Sequence, residues 1–119
     1  MPEKITWSSH PKEEVARGMI RKMIYGEKIM ICHLSFKDGF EVPMHSHHNE
    51  QITQVLKGTI RFWFGENKEE ELDVHAGESV VIPPHLPHAA LIIGEVEASD
   101  TFSPPRQDWI EGSDDYLRK

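Results

Sequence analysis

The 119-residue chain predicts an all-β, single-domain fold, an antiparallel β-barrel or jelly roll with short N- and C-terminal extensions. Three observations predict it. Apolar, β-branched and aromatic residues come in short runs, and turn signals separate one run from the next. These signals are Tyr25-Gly26-Glu27, Lys37-Asp38-Gly39, Gly58, Ala76-Gly77, Pro83-Pro84 and Gly94. In Lys28–Phe36, Met30, Cys32, Leu34 and Phe36 alternate with Ile29, Ile31, His33 and Ser35. Both of those faces are largely apolar, as in a strand covered on each side.

The barrel is expected to occupy residues 18–103 of a single domain spanning 1–119, with residues 104–119 as a tail. Residues 1–17 are polar and carry Pro2, Pro11 and a Lys12-Glu13-Glu14 charge run. Lys4–Trp7 reads as a short strand at an edge or against a second subunit, since Trp7 needs burial. Gly18–Ile24 and Lys28–Phe36 are strands. Gln51–Lys57 and Thr59–Gly65 read as a hairpin hinged at Gly58, followed by the charged loop Glu66–Glu71. Glu71–His75 and Ser79–Ile82 are strands, the second stopped by Pro83-Pro84, which cannot donate ladder hydrogen bonds. Ala89–Ile93 and Glu95–Phe102 are two more, broken at Gly94, and Ser103-Pro104-Pro105 ends the sheet. Ser113, followed by acidic residues, is a helix N-cap candidate.

Hydrophobic content of 38% and charged content of 28% are those of an ordinary globular protein. A formal charge of −7 argues against nucleic-acid or anionic-membrane partners. A single cysteine, Cys32, excludes an internal disulfide and favours a cytoplasmic setting; it reads as a buried small hydrophobe. No apolar run approaches the roughly 18 residues of a membrane span.

The chemistry is concentrated in Gly39–Gly58. Along an extended strand side chains alternate faces, so His45, His47 and Gln51 share one face and His48 takes the other. Two imidazoles and an amide oxygen make an incomplete metal site, and His88 in GESVVIPPHLPH is the expected fourth ligand. Such a set binds one divalent ion, Zn, Ni, Mn, Fe or Co, without neutralising it. His10 and His75 are expected in solvent, and His85 at a turn of positive φ. His33 contacts substrate if its face of the strand is the inner one.

The two segments resemble the cupin superfamily. Its first motif, G-x5-H-x-H-x3-4-E-x6-G, is matched by Gly39, His45, His47, Gln51 in the glutamate place, and Gly58. The second, G-x5-P-x-G-x2-H-x3-N, is matched by Gly77, Pro83 and His88, with His85 and Ile92 departing from it. The ending Asp100-Thr101-Phe102-Ser103-Pro104-Pro105-Arg106, taken with HSHHNEQ, resembles the small cupins that linearise 4,5-unsaturated uronates. That resemblance implies Asp100 and Arg106 as catalytic residues, with Phe102, Arg106 and Thr53 against the substrate. Thr53 stands where a larger polar side chain is expected in that family. It also implies an acidic small-molecule substrate and a homodimer. Read from the residues alone, Arg106 is a surface ion pair with Asp108 or Glu111, and Asp100 a solvated strand end. An iron-dependent dioxygenase and a non-catalytic binding module are the alternative functions.

Overall fold

The computed structural model describes residues 2–118. A 3-10 turn, Trp7–Ser9, precedes eight strands and one short helix. The strands are β1 (Glu13–Ala16), β2 (Met19–Tyr25), β3 (Met30–Phe36), β4 (Glu41–His45), β5 (Glu50–Phe64), β6 (Glu70–His75), β7 (Ser79–Ile82) and β8 (His88–Ser103), and the helix is α1 (Gln107–Glu111). All pairings are antiparallel, in the order β1-β2-β3-β8-β5-β6, with β4 added on β8 and β7 on β5. Among the described residues no helix is long and apolar enough to cross a membrane.

The two long strands depart from expectation. The runs on either side of Gly58 are one strand, not a hairpin, and those on either side of Gly94 are also one strand. β5 and β8 pair along their whole length, from Glu50↔Ser103 to Phe64↔His88, with the register slipping between Val55 and Thr59. That slip is a bulge, which bends a strand without ending it. Gly58 (φ +82°) sits in it, and a Cβ there would fall on the Glu95 carbonyl and 2.8 Å from Val96 Cγ2. A positive-φ glycine therefore signals a bulge here as readily as a turn. Gly58→Ala is expected to lower stability by about 2–4 kcal/mol, combining backbone strain with overpacking. A urea-unfolding midpoint matching that of the parent chain would show that the bend does not need glycine.

Bending lets each long strand serve both halves of the barrel and face one core. Met30, Cys32, Leu34 and Phe36 of β3 point inward with Val55, Ile60, Phe62 and Phe64 of β5 and Ile92, Val96, Ala98 and Phe102 of β8. Cys32 is fully buried, and burial pushes its thiol well above the usual range. The opposite face of β3 looks outward. There His33 stacks on Trp7, with ring centroids 3.6 Å apart. Trp7 is thus half-buried by its own chain, and Lys4–Trp7 forms no strand.

The tail also differs from its sequence reading. Its helix lies before Ser113 and stops at Gly112, which takes the left-handed conformation and caps α1 with hydrogen bonds to the Asp108 and Trp109 carbonyls. Ser113 N–H donates back to Asp108 O instead of opening a helix. Beyond it, Asp114 reaches across the fold to Arg21 on β2 (2.7 Å), and Arg118 binds both Asp114 (2.6 Å) and Glu13 on β1 (2.8 Å). Arg21, paired also with Glu13, lies beneath the Trp109 ring at 4.4 Å. Here a buried cation is tolerated because carboxylates meet it.

Candidate metal centre and adjoining cavity

Strand register assembles the site. β4 against β8 sets His45 opposite His88, and β5 against β8 sets Gln51 opposite Phe102 and Thr53 opposite Asp100. The segment carrying the first ligands is not extended throughout, because β4 ends at His45 and β5 begins at Glu50. His47 is placed by the link between them. Asn49, buried, anchors that link by donating from Nδ2 to the Pro104 carbonyl (2.6 Å), and its own carbonyl receives His47 Nδ1 (3.0 Å).

His45, His47 and His88 each offer a ring nitrogen, and these atoms lie within 4.8 Å of one another. Every Nδ1 faces a backbone carbonyl: Pro43 O for His45 (2.7 Å), Asn49 O for His47 (3.0 Å) and Leu86 O for His88 (2.8 Å). A carbonyl only accepts, so each Nδ1 carries the proton and each Nε2 keeps a bare lone pair, the ligand tautomer. Burial also suppresses protonation, pulling His45 down to about 3 and His47 to about 4, with His88 lowered for the same first reason.

Two features of the donor set fit a cation. His88 Nε2 is buried and has no hydrogen-bond partner among the described residues. His47 Nε2 lies 3.0 Å from Gln51 Oε1, so two lone pairs face each other. Such a contact repels unless a cation is shared. Three neutral histidines with an adjacent amide oxygen are therefore a competent set for one divalent ion.

Beside the histidines a cavity of about 50 Å³ opens into the barrel. Its polar end holds His45, Gln51, Thr53, His88, Asp100 and Arg106; Phe102 and inward residues such as Leu34 and Phe62 form its walls. Gln51 Nε2 donates to Thr53 Oγ1 (2.9 Å), which donates to Asp100 Oδ1 (2.6 Å). Asp100 is buried, not a solvated strand end, and burial raises its carboxyl to about 6 even though Thr53 and Arg106 pull it down. Arg106 does pair with Asp108, through Nε (3.0 Å) and Nη2 (2.8 Å), but at 3% side-chain exposure this is no surface pair. Its guanidinium lies over Phe102 at 5.1 Å and over Trp109 at 4.7 Å.

Most sequence-predicted residues thus meet in one place. His33 does not: Cys32 and Leu34 hold the inner face of β3, so a period of two sends His33 out to Trp7, and its expected substrate contact is corrected. Among the remaining histidines, His48, His75 and His85 are exposed, and His85 has φ +68°. His10, expected in solvent, is half-buried with Nε2 2.7 Å from the Met23 carbonyl. Two residues were missed. Asn49 drew no role from its sequence context, and Tyr116 lies in the tail yet stacks on His45 (4.5 Å between centroids) and accepts from Arg106 Nη2 (2.9 Å).

This fold, with its paired histidine segments, defines a class, and comparison with known proteins agrees. A family model described as "Cupin_2: Cupin domain" matches residues 32–99, and the chain belongs to that family. It is similar to an RmlC-like cupin from Shewanella frigidimarina NCIMB 400, with 25% identity, a TM-score of 0.82, and coverage of 92% of this chain and 96% of that one. It is similar also to KdgF from Halomonas sp., at 24% identity and a TM-score of 0.83, covering 92% and 99% of the two chains. Oxalate decarboxylase from Bacillus subtilis, which has Mn(II) centres, shares the fold at 16% identity and a TM-score of 0.74 over 87% of this chain and 30% of that one. No curated protein matches the chain.

Proposed function

We propose that this cupin opens the ring of a 4,5-unsaturated uronate, using one divalent ion held by His45, His47, His88 and Gln51. The observation that carries the reading is convergence: Asp100, Phe102 and Arg106, the residues of the D-x-F-S-P-P-R ending, line one cavity with His45 and His88. Arg106 is the carboxylate clamp. A guanidinium fork binds a planar carboxylate through two parallel hydrogen bonds, a geometry lysine lacks. It also reconciles an acidic chain with an acidic ligand, through local rather than net charge.

Asp100 moves the proton. As carboxylate it takes the hydrogen of the anomeric hydroxyl; the bond from the anomeric carbon to the ring oxygen breaks, and the electron pair leaves on that oxygen as an enolate. The proton then returns to the enolate carbon, which gives the open keto acid. One proton changes place and nothing is oxidised. A carboxyl raised to about 6 suits both halves of this traffic near neutral pH. Phe102, 1% exposed, keeps that side of the site apolar. A bound ion would supply Lewis-acid stabilisation of negative charge on oxygen, and manganese is the first to load, given the Mn(II) centres of the oxalate decarboxylase.

The test is ultraviolet absorbance of 4,5-unsaturated galacturonate, because the conjugated enol ether absorbs and the open keto acid does not. Metal-loaded protein is expected to accelerate the decay, and Asp100→Asn to slow it by about a hundredfold or more. No acceleration over buffer at full metal occupancy sinks the reading; oxygen uptake by iron-loaded protein then tests the dioxygenase alternative.

A further inference from the structure

The cavity is too small for the ligand its chemistry suggests. At about 50 Å³ it falls well below the roughly 300 Å³ at the lower end of small-molecule pockets. Part of what fills it is the tail: Tyr116 and Leu117 both belong to its lining. The final segment, residues 113–118, is neither strand nor regular helix; its backbone bonds are Ser113 N–H to Asp108 O at its start, then Leu117 N–H to Asp114 O and Arg118 N–H to Asp115 O. Past Ser113 its position is set by side chains: Asp114 on Arg21, Arg118 on Glu13, Leu117 packed into the core, and the Tyr116 hydroxyl, which also accepts from Trp109 Nε1 (3.2 Å). Immediately before it stands Gly112 at φ +71°, a backbone position that can reorient without steric cost.

Arg106 adds a second observation. Asp108 grips the guanidinium from the side, on Nε and Nη2, which leaves the opposite, Nη1/Nη2 end outside that grip. At that end Nη2 donates to the Tyr116 hydroxyl, and among the described residues Nη1 has no acceptor. The Nη1/Nη2 edge is the one a carboxylate would take. A phenol oxygen therefore sits where a substrate oxygen belongs, on a segment that also closes the cavity.

We propose that Ser113–Arg118 is a lid hinged at Gly112, latched by the Asp114–Arg21 and Arg118–Glu13 pairs, and that Tyr116 holds the carboxylate seat on Arg106 until substrate displaces it. Asp108 is then a positioning residue. One swing enlarges the cavity and frees the clamp together, while Asp108 and Trp109, before the hinge, stay with Arg106. The proposal rests on the reading of Arg106 as an acid clamp, but its test needs no turnover.

The experiment uses the full chain as parent, Arg118→Ala and Tyr116→Phe. Arg118→Ala removes a partly exposed latch member and leaves the Arg21–Asp114 pair intact, so folding is retained. The first readout is modification of Arg106 by 2,3-butanedione, located by peptide mass; the second is hydrogen exchange of residues 113–118. Arg118→Ala is expected to speed both about tenfold with the strands of the barrel unchanged, and Tyr116→Phe to speed Arg106 modification alone. Equal modification of Arg106 in all three proteins overturns the lid, as does faster exchange spread over β2, β3 and β8. If the lid behaves as expected and unsaturated galacturonate is still not turned over, the lid stands and the uronate assignment falls.

Discussion

Arg106→Ala is expected to cut kcat/KM for the unsaturated uronate by roughly a hundred- to a thousandfold. Losing one side of a desolvated charge pair costs about 2–5 kcal/mol, and each 1.36 kcal/mol is a factor of ten. The guanidinium lies over the Trp109 and Phe102 rings, so the loss includes packing as well as charge. Stability should suffer less than activity, because the partner left behind, Asp108, has 37% side-chain exposure and can be solvated. Arg106→Lys separates charge from geometry: it keeps the cation, loses the planar fork, and should fall between parent and alanine. Steady-state kinetics with a thermal melt on each variant checks this. A folded Arg106→Ala protein within about threefold of the parent removes Arg106 from the machinery.

The second large effect concerns the ion. Parent protein stripped with a chelator is expected to take up one divalent ion per chain and to melt at a higher temperature once loaded. At an ion concentration a hundred times Kd the gain is about 2.7 kcal/mol. His88→Ala should weaken binding by more than the 10–100-fold typical of losing an outer partner of a ligand, since it deletes a ligand itself. It also deletes a histidine nitrogen that, among the described residues, is buried without a partner. Loaded and stripped His88→Ala protein should therefore melt alike. Calorimetric titration and paired melts decide the matter: an unchanged stoichiometry and an undiminished loading shift in the variant would place the ion elsewhere.

The histidine site was legible because local spacing carried it. His45, His47, Gln51 and His88 lie in two short segments whose separations survive whatever the intervening backbone does. The alternation argument assumed one extended strand, but His45 and Gln51 lie on two, β4 and β5, and His47 lies on the link between them, where Asn49 and the carbonyl of Pro104 do the placing. For His33 the same argument yields two faces and no way to say which is inner; a tryptophan 26 residues away in sequence claims the outer one. The hairpin at Gly58 was misread because positive φ serves turns and bulges equally. The latch was out of reach altogether, because Arg21 and Asp114 are 93 positions apart and neither lies in a pattern with a period.

The Gln51–Thr53–Asp100 row has a polarity. A hydroxyl owns one hydrogen, and Thr53 spends it on Asp100, 2.6 Å away. Its oxygen can then only receive, so Gln51 must turn its NH₂ toward Thr53 and its carbonyl toward His47. Which atom residue 51 shows to the histidines is thus written at residue 53. The pair works as one oriented unit, and a substitution at Thr53 that kept every distance but lost the hydroxyl would remove the acceptor that holds the Gln51 carbonyl toward His47.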